Sequence, residues 1–375
     1  MTRRDRVGLL VRQLRSGAIT RREFVRRAGA LGLGLSTIGL VLAACGRGDR
    51  RAAAEQDLGE MERELAIYNW SDYIADDTIP NFEKEFGVTV TYDTYESNEE
   101  MMAKLQAGAS PYDLVVPSNY LVPVLAAQGL AFPLVRTYLT NFDHLSPAFV
   151  NPVFDPDNRY SVPYQWGTTG IAYRRDKVPA PASWGVFHDA AYRGKMTQMD
   201  DQRDVIGAWL RYRGHSLNST DPGDLAQARA DAIAAKQNLK AYVSAPVKAQ
   251  LISGDVWIAQ LWNGDTFQAK QEQPALDYLL PAEGSTIWTD SLLIPRSAPH
   301  KRAAHEFINY VLRPDVGAAI SSATGYGSPN QSAMSRMANP IPYPSAEEFR
   351  RLEYQRDLGE ASELWDRIWT EIKSA

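Results

Sequence analysis

Cysteine occurs once in the 375-residue chain, at Cys45, and histidine only five times. One cysteine excludes an intramolecular disulfide and a Cys-rich structural zinc site. His144, His188 and His215 are scattered. His300 and His305 are five apart rather than at the i, i+4 spacing of a helical metal pair, and Lys301 and Arg302 between them predict a solvated helix face. No metal and no cofactor is expected. Basic charge is also scarce beyond the N-terminus. Residues 1–44 hold nine Arg against Asp5 and Glu23, which leaves 31 basic and 43 acidic side chains from Cys45 onward, a net charge of −12. A body this acidic argues against nucleic acid, whose phosphates need a basic face, and suits a cationic ligand. With 44% hydrophobic and 23% charged residues, the chain is neither disordered nor a multi-span membrane protein. Its length fits two domains of ordinary size.

The N-terminal segment reads as a targeting signal. Thr20-Arg21-Arg22-Glu23-Phe24-Val25-Arg26 matches the twin-arginine export pattern, and a weakly apolar, Gly- and Leu-rich run from Ala28 to Ala44 follows. Leu42-Ala43-Ala44-Cys45-Gly46 then resembles a bacterial lipobox, in which the cysteine thiol takes a diacylglyceryl group. Residues 1–44 are therefore expected to be a signal peptide, Cys45 a lipidation site and residues 45–61 a tether. The mature body would be periplasmic or otherwise extracytoplasmic, soluble but lipid-anchored to a membrane.

From Glu64 the chain alternates strand and helix signals, which predicts an α/β fold. Leu65 to Tyr68 is a short strand; Asp76-Asp77 can cap a helix with Ile79, Phe82 and Phe86 on one face, stopped by Gly87. Val88, Val90 and Tyr92 alternate as the next strand. Ser97-Asn98-Glu99-Glu100 reads as a capping box opening a helix, and Tyr112 to Val116 is a third strand, giving βαβαβ. In open α/β sheets ligands bind beyond the carboxyl ends of strands, here at Asn69-Trp70-Ser71-Asp72-Tyr73 and Pro117-Ser118-Asn119-Tyr120.

A second α/β pattern follows Gly170-Ile171-Ala172-Tyr173. Lys195 to Met199 is a strand leading to Asp201 and Asp204, which are three apart at a helix start and so share a side; capping and helix-dipole complementarity explain such a pair without any ligand. Asp255 to Gln260 is a strand ending at Leu261-Trp262-Asn263-Gly264-Asp265. In Ile287-Trp288-Thr289-Asp290-Ser291-Leu292-Leu293-Ile294 an acid is embedded in an apolar strand, where it needs a donor or a cation.

These segments resemble, over nearly the whole mature chain, the spermidine/putrescine-binding proteins of bacterial polyamine ABC transporters. The matching strings are Tyr68-Asn69-Trp70-Ser71-Asp72-Tyr73, Tyr95-Glu96-Ser97-Asn98-Glu99, Tyr112-Asp113-Leu114-Val115-Val116-Pro117-Ser118, Trp262-Asn263-Gly264, Trp288-Thr289-Asp290-Ser291-Leu292, Leu312-Arg313-Pro314-Asp315-Val316 and Gly325-Tyr326. The resemblance implies a two-lobed periplasmic-binding-protein-like fold of type II, with residues 62–169 and 288–329 in one lobe and 170–287 and 330–375 in the other. It implies hinges near Thr168-Thr169 and Thr286-Ile287. It also implies a channel walled by Trp70, Tyr73, Tyr120, Trp262, Trp288 and Tyr326, with polar contacts from Ser71, Asp72, Ser118, Asp201, Asp204, Asp290 and Gln355. A polyamine is an apolar rod with ammonium groups at fixed spacing, so its methylenes lie on rings and its charges face ring quadrupoles and carboxylates.

In the spermidine-preferring branch, glutamates usually stand where this chain has Asp72 and Asp204. The Ser71-Asp72 pair looks like the diamine branch, whereas Trp288 and Asn119-Tyr120 look like the spermidine branch. Spermidine is expected to be favoured over putrescine. The implied partners are a polyamine, a membrane permease and the membrane itself, with the protein a monomer. A sugar- or iron-binding member of the same class is the alternative, and a glycosidase-like enzyme a remote one, because paired acids with aromatic subsites also describe glycosidases but no proton donor is identifiable.

Overall fold

The βαβαβ opening predicted for the chain is present in the computed structural model, which describes residues 56–107, 111–244, 246–337 and 344–375. The export signal, Cys45 and most of the tether lie outside the described residues. Every described strand falls in one unit, Leu58–Leu134 with Tyr138–Ala375.

Strand β1 (Glu64–Trp70) lies between β2 (Thr89–Tyr95) and β3 (Leu114–Val115), parallel to both. Helix α1 (Thr78–Phe86) connects β1 to β2, buries Phe82 against Phe86 and Phe307, and ends where Gly87 turns left-handed at φ 65°. Asp77 occupies its N-cap position without a side-chain capping bond, so the expected cap is not formed. Helix α2 (Asn98–Gln106) is capped by Ser97, whose hydroxyl accepts from Glu100 N–H. The Glu100 carboxylate turns instead to Glu96 N–H and the Tyr68 hydroxyl, so only half of the expected capping box exists. Helix α3 (Val122–Ala127) follows β3.

The centre of the sheet is β4 (Ser161–Arg174), a single 14-residue strand that changes partner midway. Ser161–Thr168 pair antiparallel with β9 (Ser285–Leu293); from Thr169 onward the strand pairs antiparallel with β7 (Ile258–Trp262) and then also with β8 (Leu276–Leu279). Strands β5 (Met196–Gln198) and β6 (Leu239–Tyr242) continue beyond β7, parallel to it, and β10 (Leu352–Tyr354) lies parallel to β9. The order is β2-β1-β3-β9-β4-β7-β5-β6. Strand β9, late in sequence, thus stands between β3 and β4.

The remaining helices are α4 (Gln202–Tyr212), α5 (Pro222–Lys236), α6 (Val247–Ser253), α7 (Asn263–Glu272), α8 (Lys301–Val311), α9 (Pro314–Thr324), α10 (Gln331–Met334), α11 (Ala346–Phe349) and α12 (Ser362–Ser374). The described residues form several separate cores, of which two carry the largest rings. One surrounds Tyr68, Tyr95, Met101, Val115 and Leu125; the other surrounds Trp184, Phe187, Trp209, Ile258 and Trp365. Full burial of rings this large contributes roughly 1.5 to 3 kcal/mol each or more.

The solvated face expected around His300 and His305 also needs correction. His305 is not on a solvated face: it is fully buried against Phe132 and Tyr138, and its desolvation holds the imidazole pKa down to about 4. His300 stands at the N-cap of α8, its ring nitrogen 2.9 Å from the buried Asp113 carboxylate. Among the described residues, no group of three or more His, Cys, Asp or Glu is placed to hold a metal, and no helix is long and apolar enough to cross a membrane.

Candidate functional site

Strand ends from both halves of the sheet converge on one cavity of about 500 Å³, counted out to open solvent. Its lining includes eleven of the thirteen residues singled out from sequence: Trp70, Ser71, Tyr73, Ser118, Asp201, Asp204, Trp262, Trp288, Asp290, Tyr326 and Gln355. Asn98 and Asp265 complete it. Both stand within strings singled out above, Asn98 at a helix start and Asp265 directly after Trp262-Asn263-Gly264, but residue type alone gives neither a part in the site.

The walls are aromatic. Trp70, at the end of β1, donates its indole N–H to Val116 O at 2.9 Å and sets its ring edge-on to Trp262, 6.1 Å away. Tyr73, Trp288 and Tyr326 form a second group with centroids 5.0 to 6.5 Å apart. The Tyr326 ring lies against Gly264: a Cβ there would come within 2.4 Å of it, so the glycine of the Trp-Asn-Gly string is a seat for the ring. Gly325, left-handed at φ 76°, ends α9 and delivers Tyr326 to that seat.

Asp290 is the acid embedded in β9. It is 5% exposed and receives hydrogen bonds from Ser118 Oγ at 2.7 Å and the Tyr73 hydroxyl at 3.0 Å. Asn98 fixes that serine by donating to its hydroxyl and accepting from its backbone N–H. Burial pushes the Asp290 carboxyl up to about 7, against the opposing pull of these two donors.

A second acidic group stands at the start of α4. Asp201 caps the helix by accepting from Arg203 and Asp204 N–H, so the bland reading of this residue holds alongside its place in the lining. Asp204 accepts from Thr169 at 3.0 Å and from Gln355 at 3.4 Å, and Asn119 holds Gln355 through its backbone carbonyl. Desolvation, then repulsion from Asp201, raises Asp204 to about 7. Asp265 accepts from the Tyr326 hydroxyl at 2.8 Å, and burial raises its carboxyl as well.

The two remaining candidates lie outside the lining, each against a cation of the protein. Asp72, left-handed at φ 52°, pairs with Lys248 of α6. Tyr120 lies under the Arg203 guanidinium at 5.0 Å, and Trp365 faces the same guanidinium at 5.0 Å. By contrast, Asp290 and Asp204 receive only neutral side-chain donors, and among the described residues neither forms a salt bridge. An arrangement of buried carboxylates among ring faces suits a cation with apolar segments.

Residues 78–346 match the bacterial extracellular solute-binding proteins, and the chain belongs to that family. It is therefore a binding protein rather than an enzyme. Among its relatives are the spermidine/putrescine-binding periplasmic protein of Escherichia coli, 37% identical over 83% of this chain and 91% of that one, and the putrescine/cadaverine-binding protein of Pseudomonas aeruginosa, 33% identical over 82% and 93%. Similar solved structures include the spermidine/putrescine ABC transporter substrate-binding protein of Streptococcus pneumoniae (TM-score 0.71, 31% identity, 84% and 99% coverage). The TpPotD lipoprotein of Treponema pallidum is another (TM-score 0.76, 31% identity, 83% and 100% coverage). The fold is the two-lobed periplasmic-binding-protein type.

Proposed function

We propose that this chain is the substrate-binding component of an ABC importer and that its ligand is a polyamine, with spermidine favoured over putrescine. One observation carries the reading: Asp290 and Asp204 are buried in a single cavity among five aromatic rings, hydrogen-bonded but, among the described residues, without a salt bridge. An isolated buried carboxylate is costly, and an ammonium group that shares its desolvation offsets that cost. The rings take the methylene segments and add cation–π attraction. Relatives that bind spermidine, putrescine or cadaverine support the same ligand class, and the Trp288 and Asn119-Tyr120 strings support the triamine as the preferred member.

In this reading residues 62–169 with 288–329 and residues 170–287 with 330–375 are the lobes, hinged where β4 changes partner at Thr168-Thr169 and near Thr286-Ile287. Ligand contacts from both lobes make closure depend on ligand and give a membrane permease a surface to engage. The protein acts as an extracytoplasmic monomer held to the membrane through lipidated Cys45. Calorimetric titration of the refolded, ligand-stripped protein with spermidine, putrescine and spermine is the test. Binding to at least one, spermidine most tightly, is expected; no heat and no rise in melting temperature with any at millimolar concentration overturns the reading.

A further inference from the structure

Lys248 holds a position unlike that of any other cation discussed above. It projects from the first turn of α6, its side chain is only 18% exposed, and its ammonium pairs with Asp72 and donates to Gln268 Oε1 at 3.1 Å. Gln268 in turn donates to Thr324 O at 2.8 Å and reaches Asp72 O at 3.4 Å, so the acceptor set around the ammonium is fixed from α7 and α9. Asp72 itself lies just outside the cavity lining, next in the chain to Ser71, which is part of it. Asp265, one turn before Gln268 on α7, lines the cavity as well and feels the Lys248 charge. Ser71 hydrogen-bonds Glu96 at 2.7 Å, which adds a third acid to this end of the site.

We infer that Lys248 is a specificity-determining residue: its tethered ammonium occupies the end of the site, at Asp72, where the outermost ammonium of a longer polyamine would bind. The inference rests on the polyamine reading. The chemistry is that of the ligand itself: a primary ammonium on an alkyl stem, received by a carboxylate and an amide oxygen, with a second carboxylate nearby. Among the described residues Asp290 and Asp204 form no salt bridge of this kind, which leaves their charge to the ligand. A diamine satisfied by those inner acids does not reach Lys248. A triamine extending toward Ser71 and Asp265 must displace the lysine from Asp72 or meet it as a like charge, which is a repulsive element acting on one ligand and not the other. Lys248 thus narrows the preference for the triamine without contacting a bound diamine.

The test is calorimetric titration of the ligand-stripped protein with putrescine and with spermidine, for the parent and for Lys248→Met, Lys248→Gln and Lys248→Arg. Two neutral variants are used so that either, if folded by its melting transition, supplies the measurement. The spermidine-to-putrescine affinity ratio is expected to rise about fivefold or more in the neutral variants, the scale of one partly exposed charge pair. Lys248→Arg should keep the parent ratio, because it keeps the charge. A ratio unchanged in both neutral variants overturns the inference. So does an equal loss of both affinities, which would make the Asp72 pair a closing contact indifferent to ligand length. Absence of binding in the parent overturns the polyamine reading, and this inference with it; binding in the parent with an unmoved ratio overturns this inference alone.

Discussion

Asp290 shows how one side chain can be a liability to the fold and an asset to the site. Its carboxylate is shut away from water in a strand whose neighbours are Trp288, Leu292 and Leu293, and among the described residues its side-chain donors are two hydroxyls. Replacing it by Asn keeps the shape and the hydrogen bonds but removes the charge that a bound ammonium needs. Asp290→Asn is expected to weaken polyamine binding by about 2 to 5 kcal/mol, the range for truncating one partner of a buried charge pair. Titration with the preferred amine checks this, and affinity equal to the parent's in a folded variant would move the principal ammonium contact elsewhere. This residue was legible in the sequence because a lone acid in an apolar run demands a partner. Asp72 was not legible in the same way: sequence offers no means of seeing that Lys248, 176 positions later, would claim it. The same holds for Tyr120, whose ring lies under Arg203 from a distant helix start.

Helix α4 begins with two acids close enough to interact, and its behaviour follows from that. Burial and the neighbouring Asp201 hold Asp204 near 7, and burial alone holds Asp290 there, against about 3.9 for an unfolded aspartate. Both folded values are raised, so the stability these protons contribute is full below about pH 4 and is lost as the pH rises through about 7. Ammonium binding needs the ionised forms and therefore drives protons off. Affinity is expected to increase from pH 5.5 to pH 8. At pH 6.5 the binding heat should vary with the ionisation enthalpy of the buffer, a direct measure of proton release; affinity and heat indifferent to pH and buffer would show that these acids are already ionised. Elements themselves were read well where periodicity was strong and poorly at their ends. Strand β7 begins at Ile258, not Asp255, because Asp255 pairs with Lys240 and Trp257 N–H bonds Lys195 outside the regular ladder. Strand β3 shrinks to Leu114–Val115 because its flanks are spent on loops: Asp113 binds Ala66 N–H and His300, and Ser118 turns to Asp290.

At the scale of the whole molecule, the acidic body and the basic N-terminal segment are separate statements about chemistry and address. The first suits a cationic ligand; the second rests on the twin-arginine and lipobox strings. Cys45→Ala is expected to release the protein from membranes or to leave an unprocessed precursor, visible by membrane fractionation and intact mass. Unchanged membrane association with normal processing would remove the lipid-anchor reading. The two-lobed plan was implied by the family resemblance, but nothing local announced that β9 would lie between β3 and β4, because strand order is settled by long-range pairing rather than by residue type. That placement has a consequence for the chain as it is being made. A ribosome delivers β1, β2, β3 and β4 long before Ser285, yet β3 and β4 have no common neighbour until β9 arrives. The strands made first must wait as an open sheet with bare edges until β9 is made, and any chaperone the sheet needs is needed during that interval.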